Sequence, residues 1–326
     1  MKALVYEGVE RVAFREVPEP GLIEGEHLIK VEAVGICGSD MHAFLGHDER
    51  RPAPLILGHE AAGVIVGGPK VGTRVTINPL VTPLDCPTYK VGRENLSPNR
   101  QIISMPPREG AFAQYVSMPE RNLVEVPDGV SLDQAALAEP LAVSWHAARL
   151  ANEALHASME RRALVIGGGA IGLAASLALR AMGFENVIIS EPNAARRAYL
   201  RDHCGHDVCA KVEESFPLVI DAVGFAATRE IASDLVEPGG VIVHVGLGEP
   251  KGGLDIRRIT LQEVTFIGSY TYTMRDFRDT AQAIFDGRLG SLNWIELRRL
   301  EDGQAAFEDL LSQRVAAPKI VFRPWD

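Results

Sequence analysis

The chain has 326 residues, 46% hydrophobic and 23% charged, with a formal net charge of −10 from 33 basic and 43 acidic side chains. That length exceeds what one hydrophobic core usually serves, so two domains are expected; the acidity argues against nucleic-acid partners, which need a basic face. No apolar run reaches the length of a membrane span, and the opening MKALVYEGVERVAFREVPEP lacks a signal-peptide core, so a cytoplasmic chain without membrane association is expected.

Residues 1–130 alternate short β-type runs with Gly/Pro turns: ALVYE, VAFREV, HLIKVEAVGI, EAAGVIVGG, RVTINPL and AFAQYVSM. This spacing predicts an antiparallel, partly barrel-like β domain. Helical periodicity follows in SLDQAALAEPLAVSWHAARLANEAL, with Ser131 as the N-cap candidate and Pro140 inside the pattern. From Ala163 the order becomes strand, glycine turn, helix, strand (ALVIG, GGAIGLAASLALRAMG, NVIIS). A charged helix, NAARRAYLRDH, and the strands PLVIDAVG, GVIVHVG and EVTFIGSY come next. Such alternation predicts a parallel sheet with helices on both faces. Only about seven residues, Lys211 to Pro217, separate the third and fourth strands, too few for a crossover helix. The last stretch, WIELRRL, EDGQAAFEDLLSQR and PKIVFRPW, reads as short mixed elements that return to the first domain. The expected fold is therefore α/β: a β-rich domain over 1–145, completed by 289–326, and a doubly wound Rossmann domain over 146–288.

Gly167, Gly169 and Gly172 spell G-x-G-x-x-G, with Ala170 and Ile171 between the last two, after an apolar strand and before an Ala/Leu-rich helix. In that context the glycines allow a tight turn, close approach of a pyrophosphate, and helix–sheet packing. Glu191 ends the second strand, 19 residues beyond Gly172. A carboxylate there accepts from ribose hydroxyls and repels a 2′-phosphate, which favours NAD over NADP. Arg196 and Arg197 supply the opposing reading, as partners of a 2′-phosphate; at helix spacing they sit instead on a solvated face, or one of them stacks near the adenine.

Three segments of the β domain carry metal-type donors: G-I-C-G-S-D-M-H (Gly35 to His42), G-H-E (Gly58 to Glu60) and L-A-E-P (Leu137 to Pro140). Cys37, His59, Glu60 and Glu139 offer one thiolate, one imidazole and two carboxylates, the donors a catalytic zinc accepts. Singly, each has a plainer role, as a small buried thiol, a bonded core histidine or a helix-terminal charge.

In order along the chain, G-I-C-G-S-D-M-H, G-H-E-A-A-G-V-I-V, V-G-T-R-V, A-L-A-E-P-L-A-V and V-I-G-G-G-A-I-G resemble the zinc-containing branch of the medium-chain dehydrogenase/reductase superfamily. The resemblance runs from MKALVY to PKIVF, and Glu139-Pro140 at the third ligand position is similar to the polyol group that includes sorbitol and threonine dehydrogenases. It implies a GroES-like catalytic domain beside the Rossmann domain, with hydride moving between NAD and a secondary alcohol of a polyol or sugar-derived substrate. It implies Cys37 and His59 as fixed zinc ligands, and Glu60 and Glu139 as carboxylates that bind zinc or hold its water. Asp40 would accept the other ring N–H of His59, Ser39 would take the substrate proton, and His42 would pass it to solvent. A homodimer or homotetramer, paired through VTFIGSYTY, is implied as well.

The family's structural zinc lobe is written C-x2-C-x2-C-x7-C, and here that register holds Pro83, Cys86, Tyr89 and Ser97. One thiol cannot build a closed thiolate tetrahedron, so a single catalytic zinc is expected and no structural one. Cys204 and Cys209 carry no metal role, and the four cysteines form no C-x-x-C pair. Two alternatives stay open on sequence alone: a zinc-free NADPH-dependent reductase of the same superfamily, and a non-catalytic NAD-binding sensor.

Overall fold

A computed structural model describes residues 1–326. It divides into two compact units, Met1–Glu139 with Thr273–Gly287 and Ile295–Asp326, and Pro140–Tyr272 with Arg288–Trp294.

The first unit opens with β1 (Lys2–Gly8), β2 (Arg11–Glu16), β3 (Glu26–Gly35) and the short helix α1 (Gly38–Phe44). Then come β4 (Leu55–Ile56), β5 (Glu60–Gly67), β6 (Arg74–Ile77), β7 (Leu80–Val81) and α2 (Pro87–Lys90). After β8 (Gln101–Ile102), β9 (Tyr115–Pro119) and β10 (Leu123–Glu125) comes helix α3 (Leu132–Ala135); helix α4 (Ala138–Ala154) starts at the end of this stretch and belongs to the second unit from Pro140 on. Ser131 caps α3 as the sequence suggests, its hydroxyl accepting from Gln134 N at 3.1 Å. Small side chains at Ala33, Ala62, Ala135 and Ala136 let α3 lie close on the sheet over Val126 and Val321.

The second unit is a six-stranded parallel sheet of β11 (Arg162–Ile166), β12 (Asn186–Ser190), β13 (Asp207–Cys209), β14 (Phe216–Asp221), β15 (Val236–His244) and β16 (Thr265–Gly268). Their order across the sheet is β13-β12-β11-β14-β15-β16. Helices α5 (Ala170–Ala181), α6 (Ala194–Cys204), α7 (Ala226–Leu235) and α8 (Ile256–Leu261) make the crossovers. No helix links β13 to β14, in keeping with the short span between them. Leu164, Ile166, Phe216, Val219, Ala232, Val236 and Ile242 fill one core layer, the near-continuous apolar composition a sheet buried on both faces requires.

The chain then returns to the first unit through α9 (Met274–Phe285), β17 (Ile295–Arg299), α10 (Gly303–Leu311) and β18 (Lys319–Arg323). Strand β18 pairs antiparallel with β3, extending the sheet to β10-β6-β5-β3-β18-β17 with β9 also on β3. Phe44 of α1 packs on Phe307 of α10 at 4.8 Å, and Phe112 meets Phe307 and Phe322 edge-on. These contacts anchor α1, which carries much of the candidate site. The lobe around α2 is held by its own bonds: the Cys86 sulfur lies 3.1 Å from the Ser97 hydroxyl and 3.0 Å from that of Thr88. Those two hydroxyls pull the Cys86 thiol down to about 7. Burial instead pushes Cys204 up to about 11, as suits a packing thiol.

His206, just beyond α6, is 3% exposed, and its Nδ1 lies 3.0 Å from Ser176 Oγ. Burial, helped by the Arg180 charge, holds its pKa down to about 4 against an ordinary 6.5. The unfolded chain therefore takes up a proton that the fold refuses, so His206 costs nothing above about pH 6.5 and weakens the fold progressively from there to pH 4. The expected loss across that window is about 3 kcal/mol. Urea unfolding of the native chain and of His206→Gln between pH 7 and 4.5 checks this; equal acid sensitivity in the two would refute it.

Candidate active site

Helix α1 starts at Cys37 because Asp40, three residues on, turns back and accepts the Cys37 N–H at 2.9 Å. The other Asp40 oxygen accepts from Gly58 N at 3.2 Å, tying α1 to the Gly58–Glu60 segment. Within that frame Cys37, His59 and Glu60 each present a donor atom, all within 4.8 Å of one another. His59 and Glu60 are buried and Cys37 is half-buried. A soft thiolate, an imidazole and a carboxylate converging on one point fit a zinc ion.

His59 Nδ1 lies 3.3 Å from Ser104 Oγ and 3.6 Å from Asp40 Oδ1. Burial opposes a charge on the ring, yet the neighbouring Asp40 carboxylate and Cys37 outweigh it and hold the pKa well above 6.5. Glu60 is fully buried and pairs with Lys319, whose Nζ lies 2.7 and 2.8 Å from the two carboxylate oxygens. A third bond runs from Lys319 Nζ to Ile36 O at 2.8 Å. Burial disfavours the ammonium, but Glu60 more than offsets that, and the Lys319 pKa is raised. Gly35, opposite Glu60 in the β3–β5 register, leaves room for the carboxylate where it stands, since a Cβ there would sit 2.1 Å from Glu60 Oε2 and displace it.

Glu139 lies outside this trio, buried in the first turn of α4, with its charge felt at Lys319. Ser39 and His42 fall one helical turn apart on α1, half-buried and exposed respectively. His47 is exposed, and Arg50 is engaged by Asp48 at 2.8 and 3.0 Å. Sequence reading missed Lys319 and Ser104, and also Arg51, which is 3% exposed and donates to Ser104 O, Ser39 O and Asp48. A cavity of about 840 Å³ in the first unit, among Val17, Leu22, Ile23, Pro54, Arg108 and Tyr115, contains none of the metal-type donors.

In the second unit the glycine turn joins β11 to α5. Gly167 takes φ 99°, and Gly172 admits no side chain, because a Cβ would meet Gly167 O at 1.8 Å. Glu191 accepts from Gly168 N at 2.8 Å and Asn193 N at 2.7 Å, which fixes its carboxylate beside the turn. Arg196 is partly buried near Glu191; desolvation lowers its pKa and the Glu191 charge works the other way. Just past β16, the buried hydroxyls of Ser269 and Thr271 have no protein partner. That is the carboxyl edge of a parallel sheet, where such folds bind ligands.

Residues 23–128 match the family model described as the alcohol dehydrogenase GroES-like domain, and residues 170–286 match zinc-binding dehydrogenase. L-galactonate-5-dehydrogenase of Escherichia coli (strain K12) is 33% identical, covering 84% of each chain. Sorbitol dehydrogenase 1 of Saccharomyces cerevisiae is 28% identical over 94% of this chain and 93% of its own. Among solved structures, acetophenone reductase from Geotrichum candidum NBRC 4597, in complex with NAD, is 26% identical with a TM-score of 0.87, covering 100% of this chain and 97% of its own.

Proposed function

Since the chain belongs to the zinc-binding dehydrogenases with an alcohol dehydrogenase GroES-like domain, we propose that it moves hydride between NAD and a secondary alcohol of a polyol or sugar-derived substrate. The observation that carries this reading is the convergence of Cys37, His59 and Glu60. Cys37 and His59 would hold the zinc, with Glu60 and Glu139 as the carboxylates that would bind it or order water beside it. Zinc, when bound, acts as a Lewis acid that makes a substrate hydroxyl more acidic. Ser39 Oγ would accept the hydroxyl proton while giving up its own, and His42, one turn further along α1 and exposed, would pass a proton on to solvent. A nicotinamide cofactor, when bound, would supply the acceptor for the hydride that the substrate carbon gives up.

Gly167, Gly169, Ala170, Ile171 and Gly172 bring the α5 N-terminus to the cofactor pyrophosphate. Glu191 takes the adenosine ribose, with Arg196 beside it, and the unsatisfied Ser269 and Thr271 hydroxyls suit the polar groups of a bound cofactor. Replacing Glu191 with alanine is expected to reduce the NAD-over-NADP preference about tenfold or more, the scale of a bond to a charged group; steady-state kinetics with both cofactors measure it.

No helix is long and apolar enough to cross a membrane, and a cytoplasmic location belongs to the same reading. Strand β16 has one unpaired edge and carries Phe266, 36% exposed. We assign that edge to pairing between copies, in a homodimer or homotetramer.

A panel of polyols, sugar acids and amino alcohols, run with NAD and NADP beside a metal assay, tests the proposal. About one zinc per chain with NAD-dependent polyol turnover is the expected result. Metal-free reduction of enones with NADPH, or bound zinc and NAD without any turnover, would overturn it.

A further inference from the structure

Ser104 follows β8 with a backbone φ of 70°, a left-handed conformation that glycine adopts freely and serine does not. It is fully buried. Its carbonyl accepts from Arg51 Nε at 3.1 Å, and Arg51 NH1 also reaches Ser39 O at 3.4 Å, so one guanidinium ties this backbone to α1. The consequence is a hydroxyl 3.3 Å from His59 Nδ1. Asp40 Oδ1, the acceptor the sequence suggests for that ring nitrogen, is 3.6 Å away. Its two oxygens also accept from the N–H groups of Cys37 and Gly58. Ser104 Oγ is therefore the nearer acceptor for an Nδ1 proton.

We propose that Ser104 is a positioning residue: its hydroxyl accepts the His59 Nδ1–H and holds the ring in the tautomer whose Nε2 lone pair faces Cys37 and Glu60. Strained backbone persists where its surroundings over-determine it and commonly marks a function; here the strain delivers a side-chain oxygen that glycine would lack. The inference rests on the reading of Cys37 and His59 as metal ligands.

The test uses the full chain and two variants, Ser104→Ala and Ser104→Gly, titrated with Co²⁺ against a competing chelator and followed by the visible absorption of the bound ion, alongside thermal unfolding. Both variants lose the hydroxyl, but glycine also relieves the backbone. The expected result is Co²⁺ binding weakened about tenfold or more, to the same extent in both, with Ser104→Gly unfolding no earlier than the parent chain. Parent-like Co²⁺ affinity in Ser104→Gly overturns the proposal, because only the backbone would then matter. Failure of the parent chain itself to bind Co²⁺ overturns the metal reading on which it rests.

Discussion

Replacing Cys37 with alanine is expected to empty the metal site and lower kcat/KM by about 10³-fold or more, since the metal supplies several kcal/mol of charge stabilisation. The fold should barely notice. Cys37 is half-buried, and the bond that starts α1 comes from its backbone N–H to Asp40, which alanine keeps. The neighbouring anchor, Phe44 on Phe307, is likewise untouched. Zinc content by mass spectrometry, steady-state kinetics and thermal unfolding on one preparation separate the two effects. A variant that kept its zinc, or stayed within tenfold of parent activity, would show that the thiolate is not a ligand that matters.

Cys37 and His59 were legible because each sits in a short string whose chemistry is local. The turn at Cys37 is closed by Asp40 three residues away, and His59 neighbours Gly58 and Glu60. The Rossmann unit was legible for a similar reason: strand, glycine turn and helix are contiguous, and residue counting alone ruled out a helix between β13 and β14. Helix α1 was not foreseen, because GSDMHAF is too short to show an apolar period. Asp40 stands beside the His59 ring, 3.6 Å from Nδ1, and also accepts from the backbone N–H groups of Cys37 and Gly58, bonds that no sequence pattern announces. Ser104 gave no signal, as nothing in a serine announces a left-handed backbone. Lys319 was hidden by distance: it lies 259 positions from Glu60, inside a strand whose other residues read as core.

Lys319→Met is the second variant with a large expected effect, this time on stability: about 3–5 kcal/mol lost, the usual result of removing one member of a buried pair. Methionine keeps most of the side-chain volume, so little of the loss would come from a cavity. What it removes is the ammonium that balances the Glu60 carboxylate, together with the bond to Ile36 O. Both side chains are 4% exposed or less, so water cannot replace the ammonium. Converting both partners, in Lys319→Met with Glu60→Gln, should recover much of that stability, because the cost lies in the uncompensated carboxylate more than in the missing pair. Urea unfolding of metal-stripped parent, single and double variants gives the coupling directly. A single variant within 1 kcal/mol of the parent, by the order-of-magnitude scale for exposed pairs of about 0–1 kcal/mol, would mean that Glu60 is not held by Lys319. The pair also explains why a carboxylate can stand beside Cys37 and His59 without unfolding the strand that carries it: Lys319 carries the balancing charge and fixes Glu60 in place whether or not it reaches the metal.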